Sequence, residues 1–268
     1  MLGSALVGEF TSGHEVTGWD REDIDITEFQ ISNDKCQNLK PDIMINAAAY
    51  TDVDGAENNF ELANKINGYA VGNLARVAKE LDIPLVHFST EYVFDGENQT
   101  GYQEDDEPSP ISGYGRSKFL GEQELQKNTD KFYLIRLSRL FGRQGTGKRS
   151  FVDAMLEAAK VKTEIEVVDE EISLPTFAPD LAVQTRDIIE KKLPFGIYHS
   201  PSSGTPVTWY GFAKMIFETA GINVKIKPVP ASRFPRPAKR PQYGVLLNTK
   251  LPPMRPWPEA LREFLISN

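Results

Sequence analysis

PLVHFST (84–90) and FYLIRLSRLF (132–141) are apolar, β-rich runs separated by the helical pattern SKFLGEQELQ (117–126). A third such run, DIMINAAA (42–49), precedes them, and a long amphipathic segment from about Glu57 to Leu81 follows it. Strands that are apolar throughout and alternate with helices are typical of a parallel sheet covered on both faces. The first half of the chain is therefore predicted to be a doubly wound α/β fold.

The pattern changes from about residue 142 onwards. The first half also contains a predicted strand at HEVTGW (14–19). In the second half, helices are predicted at 150–161, 178–192 and 208–221, and strands at 164–168 and 196–200. A proline- and arginine-rich tail at 228–258 and a short last helix from Glu259 to Leu265 follow. We predict a Rossmann-like dinucleotide-binding domain over 1–142, with returns to it from about 164–195. Residues 143–268 are predicted to form mainly a smaller C-terminal substrate lobe, interleaved with that domain.

Composition excludes several classes of function. The chain has 268 residues and a formal net charge of −8, whereas nucleic-acid binders carry a basic patch. No apolar run approaches the ~20 residues of a membrane span. A single cysteine and the lack of a signal peptide favour the cytoplasm. The three histidines are isolated in sequence, so no metal site is predicted, and a small-molecule partner is favoured.

The chain starts with a predicted helix rather than a strand. Leu2, Ala5, Leu6 and Phe10 in MLGSALVGEF (1–10) recur at helical spacing. Asp20 and Arg21 follow Gly3 by 17 and 18 residues, near the spacing between a dinucleotide-binding glycine and the acid that holds the adenosine ribose. Asp20 would suit NAD, and Arg21 would suit the 2′-phosphate of NADP. The alternative is a solvated Asp-Arg pair that opens a loop.

Residues just after two predicted strands are candidates for ligand binding, because ligands sit at the carboxyl ends of parallel strands. Asn46 supplies an amide, and Ala47, Ala48 and Ala49 would let a flat ligand approach the backbone; a tightly packed strand end is the alternative. The second strand is followed by the hydroxyl-rich cluster Ser89, Thr90, Glu91 and Tyr92. These hydroxyls can hydrogen-bond a carbonyl that is being reduced, or only cap the loop.

Tyr114 and Lys118 lie four residues apart at the start of a predicted helix, and therefore on one face of it. A neighbouring ammonium would lower the pKa of the phenol and make it a usable acid or base. Tyr210 and Lys214 have the same spacing. Because Tyr114 follows the hydroxyl-bearing strand end, whereas Tyr210 sits on a helix that looks like core, we assign the chemistry to Tyr114.

The order of these features resembles the extended short-chain dehydrogenases/reductases, and longer strings resemble the dTDP-4-dehydrorhamnose reductase family. The strings are INAAAYTDVDGAE (45–57), NKINGYAVGNLA (64–75), FSTEYVFDG (88–96), YQEDDEPSPISGYGRSKFLGE (102–122), IRLSRLFG (135–142) and PAKRPQYGVLLNT (237–249). Family members begin with a strand and a glycine-rich turn, so Leu2 and Gly3 read as the end of that turn. We therefore expect the missing first strand and most of the turn to be encoded upstream of Met1.

The resemblance implies hydride transfer from NADPH or NADH to the C4 ketone of a nucleotide-linked 6-deoxy-hexulose. Tyr114 would give the proton, Lys118 would hold the cofactor ribose, and Thr90 would hydrogen-bond the carbonyl. The other implied contacts are Leu2, Gly3, Asp20, Arg21, Asp25, Ile26, Asn46, Ala47, Ala48 and Ala49 for the cofactor, and Thr51, Val53, Tyr92, Arg139 and Arg240 for the substrate. A homodimer and a magnesium requirement stay open.

The tail and three departures from the family pattern bear on the substrate. Arg233, Arg236, Lys239 and Arg240 gather within eight residues, and a sugar nucleotide carries a diphosphate that needs cations. Glu91 stands where the family usually has Asp, Arg139 where Trp is common, and Ser173-Leu174 where Gly-Ser is common. Two alternatives remain: a non-catalytic binding relative, such as the regulatory beta subunit of methionine adenosyltransferase, and a nucleotide-sugar epimerase.

Overall fold

The computed structural model describes residues 1–143 and 150–266. The helices are α1 (Leu2–Phe10), α2 (Phe29–Leu39), α3 (Gly55–Asn58), α4 (Phe60–Asn64), α5 (Ala70–Glu80), α6 (Gly113–Asn128), α7 (Phe151–Val161), α8 (Ala178–Glu190), α9 (Trp209–Ala220) and α10 (Trp257–Ile266). The strands are β1 (Met44–Asn46), β2 (Leu85–Thr90), β3 (Phe132–Leu137), β4 (Leu140–Phe141), β5 (Glu164–Val168), β6 (Ile172–Ser173), β7 (Thr176–Phe177), β8 (Gly196–His199), β9 (Val207–Thr208), β10 (Lys225–Val229) and β11 (Tyr243–Gly244). A π-helical turn, Lys65–Tyr69, joins α4 to α5, and 3₁₀ turns lie at Glu91–Val93 and Ala231–Arg233.

The main sheet has the strand order β1-β2-β3-β8, and every pair in it is parallel. Asn46 lies opposite His87, and Thr90 lies opposite Leu137. The register therefore brings the carboxyl ends of β1, β2 and β3 to one edge of the sheet. The candidate site residues that follow these strands meet at this edge.

Both faces of the sheet are covered, which confirms the predicted doubly wound fold. On one face, α1 packs against α8, and Leu6 joins Val86 and Ile135 in one buried cluster. On the other face, α5 and α6 cover the sheet, with Leu74 and Leu134 in a second cluster. The continuous apolar strands are explained by this burial on two sides.

The predicted strand at 14–19 is wrong, because that segment forms no strand in the structure. A strand needs a ladder partner, and none of the described backbone pairs with this segment. Val16 packs against the cluster under α1, while His14, Glu15 and Thr17 are exposed. The β-rich composition alone was therefore misleading here.

A second group of elements surrounds its own apolar cluster. Strands β5 and β10 pair in parallel, β9 and β11 flank β6, and β4 pairs with β7. The cluster includes Phe141, Phe212 and Trp257, and α7, α9 and α10 supply much of it. After β7, helix α8 and strand β8 return to the main sheet. No helix in the described ranges is long and apolar enough to cross a bilayer.

Candidate active site

The carboxyl end of β2 places Thr90 at the edge of the sheet. Its side chain is buried, and its Oγ1 accepts a hydrogen bond from the Tyr92 backbone N–H at 3.2 Å. This bond caps the 3₁₀ turn that follows the strand. Loop capping and carbonyl binding were alternative interpretations of this hydroxyl, and the structure shows that it does cap the loop.

Helix α6 brings Tyr114 to the same edge. Ser112 caps the helix and accepts a bond from the Gly115 N–H at 3.1 Å. A Cβ on Gly115 would lie 2.2 Å from the Tyr92 carbonyl oxygen, so only glycine allows this close approach of α6 to the 3₁₀ turn. The approach lets the Tyr114 hydroxyl share a hydrogen bond with the Thr90 side chain.

Lys118 is buried one turn further along α6. Its Nζ donates a hydrogen bond to the Phe88 carbonyl oxygen at 2.7 Å and lies 3.3 Å from His87 Nε2. Burial lowers the pKa of Lys118 to about 8, although the nearby Glu122 carboxylate raises it. Near neutral pH the amine is therefore partly unprotonated.

The expected effect of Lys118 on Tyr114 is wrong for this structure. Burial, with a smaller contribution from the charge of Glu91, raises the pKa of Tyr114 above its ordinary value. The lysine ammonium does not offset this rise, because Phe88 and His87 hold Nζ against β2. Tyr114 is consequently fully protonated at neutral pH and can only act as a proton donor from this state.

His87 links Lys118 to the end of β1. Its Nδ1 lies 3.2 Å from Asn46 Nδ2, and Asn46 Oδ1 accepts a bond from the Ala48 N–H at 3.1 Å. Burial lowers the pKa of His87 well below its ordinary value, followed by the charge of Lys118, so the imidazole is neutral. A hydrogen-bonded chain thus connects two of the strand ends selected from the sequence.

Asn67 fixes the loop after β1 against α6. It lies in the π-helical turn, and its side chain bonds the Tyr50 N–H at 2.8 Å and the Tyr50 carbonyl at 2.9 Å. Its amide also donates to Ser117 Oγ at 2.9 Å. The extra residue of a π-helical turn re-aims a side chain, here into the site. Sequence reasoning did not assign a role to Asn67, although its string was part of the family resemblance.

Glu91 and Arg139 lie behind Thr90. The carboxylate accepts the Thr90 hydroxyl proton at 2.9 Å, and burial raises the pKa of Glu91 to about 7. Arg139 donates to the Val207 carbonyl at 2.7 Å and the Glu171 carbonyl at 2.6 Å, and its guanidinium lies 4.1 Å from the centre of the Trp209 ring. Its φ of 42° is unusual for a residue with a side chain, and such conformations cluster at functional sites.

The remaining predicted substrate residues lie around an ion pair. Thr51 is exposed and Val53 half-buried in the loop before α3, next to Asp54. Arg240 binds both carboxylate oxygens of Asp54, at 2.7 and 2.6 Å. The Tyr92 ring packs edge-on against Tyr114, with centroids 5.5 Å apart. The sequence analysis missed Asp54 as the partner of Arg240, and nothing in the local spacing connects residues so far apart.

Two other tail cations are also paired. Arg233 contacts Glu166 at 2.7 Å, and Arg236 contacts Glu171. The basic cluster of the tail is thus largely neutralised by acidic side chains of the protein. Among these arginines, Arg240 is the one that hydrogen-bonds Asp54, in the loop between β1 and α3.

The predicted cofactor residues form two groups. Near α1, Leu2 is buried, and a Cβ on Gly3 would make an ordinary contact of 3.9 Å with Ala47. Ala47, Ala48 and Ala49 are exposed small residues, which fits a flat ligand lying on this backbone.

The second group lies on the loop before α2. Asp20 and Arg21 are exposed, and the Asp20 carboxylate accepts the Glu22 N–H at 2.8 Å. Asp25 accepts two bonds from Thr27, which lower its pKa, and Ile26 packs towards α5. The structure therefore brings Gly3 to Ala47, while Asp20 hydrogen-bonds to Glu22 and Asp23 in its own loop. Among the residues it describes, no group of three or more acidic, histidine or cysteine side chains could hold a metal ion.

Comparisons with known proteins identify the family. The family described as "RmlD substrate binding domain" matches residues 1–267. A dTDP-4-dehydrorhamnose reductase of Mycolicibacterium smegmatis is 34% identical, covering 98% of this chain and 81% of that protein. The chain belongs to the dTDP-4-dehydrorhamnose reductase family. The spore coat polysaccharide biosynthesis protein SpsK of Bacillus subtilis is 35% identical, covering 95% of this chain and 89% of its own length.

A solved structure agrees over the whole fold. The crystal structure of dTDP-4-dehydrorhamnose reductase from Bacillus anthracis in complex with NADP superimposes with a TM-score of 0.95 at 34% identity. The superposition covers 100% of this chain and 95% of the Bacillus anthracis chain. Membership of this reductase family confirms the resemblance inferred from the sequence strings.

Proposed function

We propose that this chain reduces the C4 ketone of dTDP-4-dehydro-L-rhamnose, giving dTDP-L-rhamnose, with NADPH or NADH as the reductant. The observation that carries the proposal is the meeting of Thr90, Tyr114 and Lys118 at the carboxyl end of β2. The names of the relatives support the substrate, and the NADP complex of the Bacillus anthracis protein supports the cofactor.

The residues at the ends of β1 and β2 fit a nicotinamide cofactor. Ala47 to Ala49 leave the backbone accessible, and the first turn of α1 faces them through Gly3. Lys118 would hold the ribose, and Asp25 and Ile26 would contact the adenine. When bound, the cofactor supplies the hydride for the ketone.

The side chains of the chain itself manage the proton. Tyr114 keeps its proton at neutral pH because burial raises its pKa, so it can give that proton to the C4 oxygen. Thr90 would donate a second hydrogen bond to the same oxygen, stabilising the charge that develops there. Because the pKa of Lys118 is lowered to about 8, both the charged and the neutral form of its amine are populated near neutral pH, and the amine can assist the proton transfer.

Arg240 is proposed to bind the diphosphate of the substrate. Its guanidinium already binds Asp54 in a bidentate pair, the same geometry that arginine offers to phosphate oxygens. Arg240→Ala should raise KM for the dTDP-sugar at least tenfold, about 1.4 kcal/mol of binding, with little effect on NADPH affinity.

Arg233→Ala is the matched control, because Arg233 pairs with Glu166 and its side chain is 59% exposed. We expect its KM to stay close to that of the wild type. An unchanged KM in Arg240→Ala would remove the diphosphate role from this residue.

The decisive assay follows NADPH absorbance after dTDP-4-dehydro-L-rhamnose is added, with NMR identification of the product. One NADPH should be consumed for each sugar reduced. An epimerase returns its hydride to the sugar and would consume no NADPH, and a non-catalytic binding subunit would bind the cofactor without oxidising it. Either result would overturn the proposed reaction.

The remaining assignments are also proposals. The substrate lobe would be formed mainly by 143–268, the partner would be the nucleotide sugar, and the location would be the cytoplasm, as the single buried Cys36 suggests. Sedimentation of the purified protein would decide between a monomer and the homodimer that the resemblance leaves open.

A further inference from the structure

The Thr90 hydroxyl has one proton, and the structure directs it at Glu91. Oγ1 donates to Glu91 Oε2 at 2.9 Å and accepts from the Tyr92 N–H at 3.2 Å. The Tyr114 hydroxyl is also hydrogen-bonded to Thr90. That bond lowers the pKa of Tyr114, so Thr90 is the donor in it. The Glu91 carboxylate and the Tyr114 oxygen therefore compete for the one proton of Thr90.

This arrangement conflicts with reduction of a ketone. The C4 oxygen needs a hydrogen bond from Thr90, but an ionised Glu91 can only accept, and it takes the single proton of the Thr90 hydroxyl. A protonated Glu91 can donate instead. Its O–H and the Tyr92 N–H then fill both lone pairs of Thr90 Oγ1, and the proton of Thr90 is released.

We propose that Glu91 is a positioning residue whose protonation turns the hydroxyl of Thr90 towards the substrate ketone. The inference rests on the proposed reduction. It assigns a role to one of the residues at which this chain departs from the family pattern, and it makes the protonated form of Glu91 the one that is competent for reduction.

The surroundings of Glu91 keep both its protonated and its ionised form accessible. Burial raises its pKa to about 7, against the opposing effects of the Thr90 hydroxyl and of the guanidinium and backbone N–H of Arg139. The phenols of Tyr92 and Tyr114 face it, and both are neutral because burial raises their pKa values.

The remaining charges act around Tyr92 rather than on Glu91 directly. They are Arg240 and Glu171, which both influence the pKa of Tyr92. From the opposite side, Gly244 of β11 leaves room for the Glu91 side chain, because a Cβ there would lie 2.9 Å from Glu91 Cγ. The charge of Arg139 lowers the pKa of Glu91, and the hydrogen bonds that its guanidinium donates to the Val207 and Glu171 carbonyl oxygens hold it in place.

The test is the pH dependence of kcat/KM for the reduction. Wild-type kcat/KM should fall about tenfold per pH unit above a pKa near 7, because ionised Glu91 holds the Thr90 proton away from the ketone. In Glu91→Gln the side-chain amide always offers an N–H to Thr90, so the fall near pH 7 should disappear. Any fall near pH 8 belongs to Lys118 and should be shared by both proteins.

Glu171→Gln is the matched control, because Glu171 is a buried acid whose carboxylate bonds Trp209 and Arg236 rather than Thr90. Its fall near pH 7 should remain in place. If Glu91→Gln kept that fall, the proposal would be overturned.

Infrared spectroscopy of the ligand-free protein gives a readout that does not depend on turnover. The carboxylic C=O band of the wild type should disappear as pH rises through about 7, and this component should be absent from Glu91→Gln. A wild type without any carboxyl group titrating in this range would overturn the proposal. A wild type that fails to reduce the sugar nucleotide at any pH would instead overturn the proposed function.

Discussion

The two tyrosine–lysine pairs of this chain are alike in sequence and local structure, yet different in chemistry. Tyr114 and Tyr210 each lie at the second position of a helix and are each followed by glycine. A hydroxyl side chain caps each helix, Ser112 on α6 and Thr208 on α9. The Y-x-x-x-K spacing therefore cannot by itself distinguish the two pairs.

The surroundings of the two lysines separate them. Lys118 is buried against β2, which lowers its pKa to about 8. The Lys214 side chain is 57% exposed, and it pairs with Glu218 on its own helix. The comparison shows that the Y-x-x-x-K motif is reactive only where the fold places it against a strand end and excludes water from the lysine.

The largest expected difference is in turnover. Tyr114→Phe should lower kcat by about a thousandfold or more, because it removes the proton donor, while NADPH affinity should stay nearly unchanged. The packing of the ring on Tyr92 is retained in this variant. Single-turnover kinetics and NADPH fluorescence titration measure the two quantities.

Tyr210→Phe is the matched control, and we expect it to behave as a mild packing change in the lobe. An inactive Tyr210→Phe beside an active Tyr114→Phe would reverse the assignment of the two pairs.

The second difference combines activity with stability. Lys118→Met should lower turnover about a hundredfold and weaken cofactor binding, because Lys118 is proposed to contact the ribose. It should also stabilise the folded state by on the order of 1–3 kcal/mol at pH 7, because the buried ammonium is disfavoured when its pKa falls from 10.5 to about 8.

The sign of the pH dependence follows from that shift. The wild type bears the whole cost of the buried charge below pH 8, and the cost declines as pH rises, until it vanishes above 10.5. Urea unfolding at neutral and at high pH should show the advantage of Lys118→Met shrinking with pH. Lys214→Met should show no such trend, and an equal trend in both variants would contradict the role of burial.

The sequence predicted the parts of the site that depend on chain order. The apolar runs at 84–90 and 132–141 had to form buried parallel strands, so Thr90 was placed at a strand end and Tyr114 on the helix that follows. The fold class and the family were therefore accessible from residue patterns.

The parts that depend on contacts across the fold were not accessible. Asp54 and Arg240 pair over 186 residues of separation, and the isolated His87 gave no spacing to interpret, although it contacts Lys118. Glu91 was noted only as a member of the cluster after β2 and as a departure from the family pattern, because its proposed role follows from the direction of one hydroxyl proton. The strand at 14–19 failed for a related reason, since strand propensity does not provide a ladder partner.

The smallest expected difference concerns the glycine after each tyrosine. In Gly115→Ala the new Cβ would lie 2.2 Å from the Tyr92 backbone oxygen, whereas in Gly211→Ala it would lie 2.6 Å from Val207 Cγ2. A backbone oxygen cannot move without shifting the 3₁₀ turn, so we expect Gly115→Ala to cost about 1–3 kcal/mol of stability. The Val207 side chain can change its rotamer, so Gly211→Ala should cost less.

Activity should separate the two glycine variants further than stability does. Displacing α6 from Tyr92 moves the Tyr114 hydroxyl away from Thr90, so kcat should fall in Gly115→Ala even where the protein is fully folded. Thermal unfolding and kcat, measured on the same preparations of both variants, test this. Equal losses of kcat in the two variants would show that the close approach of α6 to the 3₁₀ turn does not position the catalytic phenol.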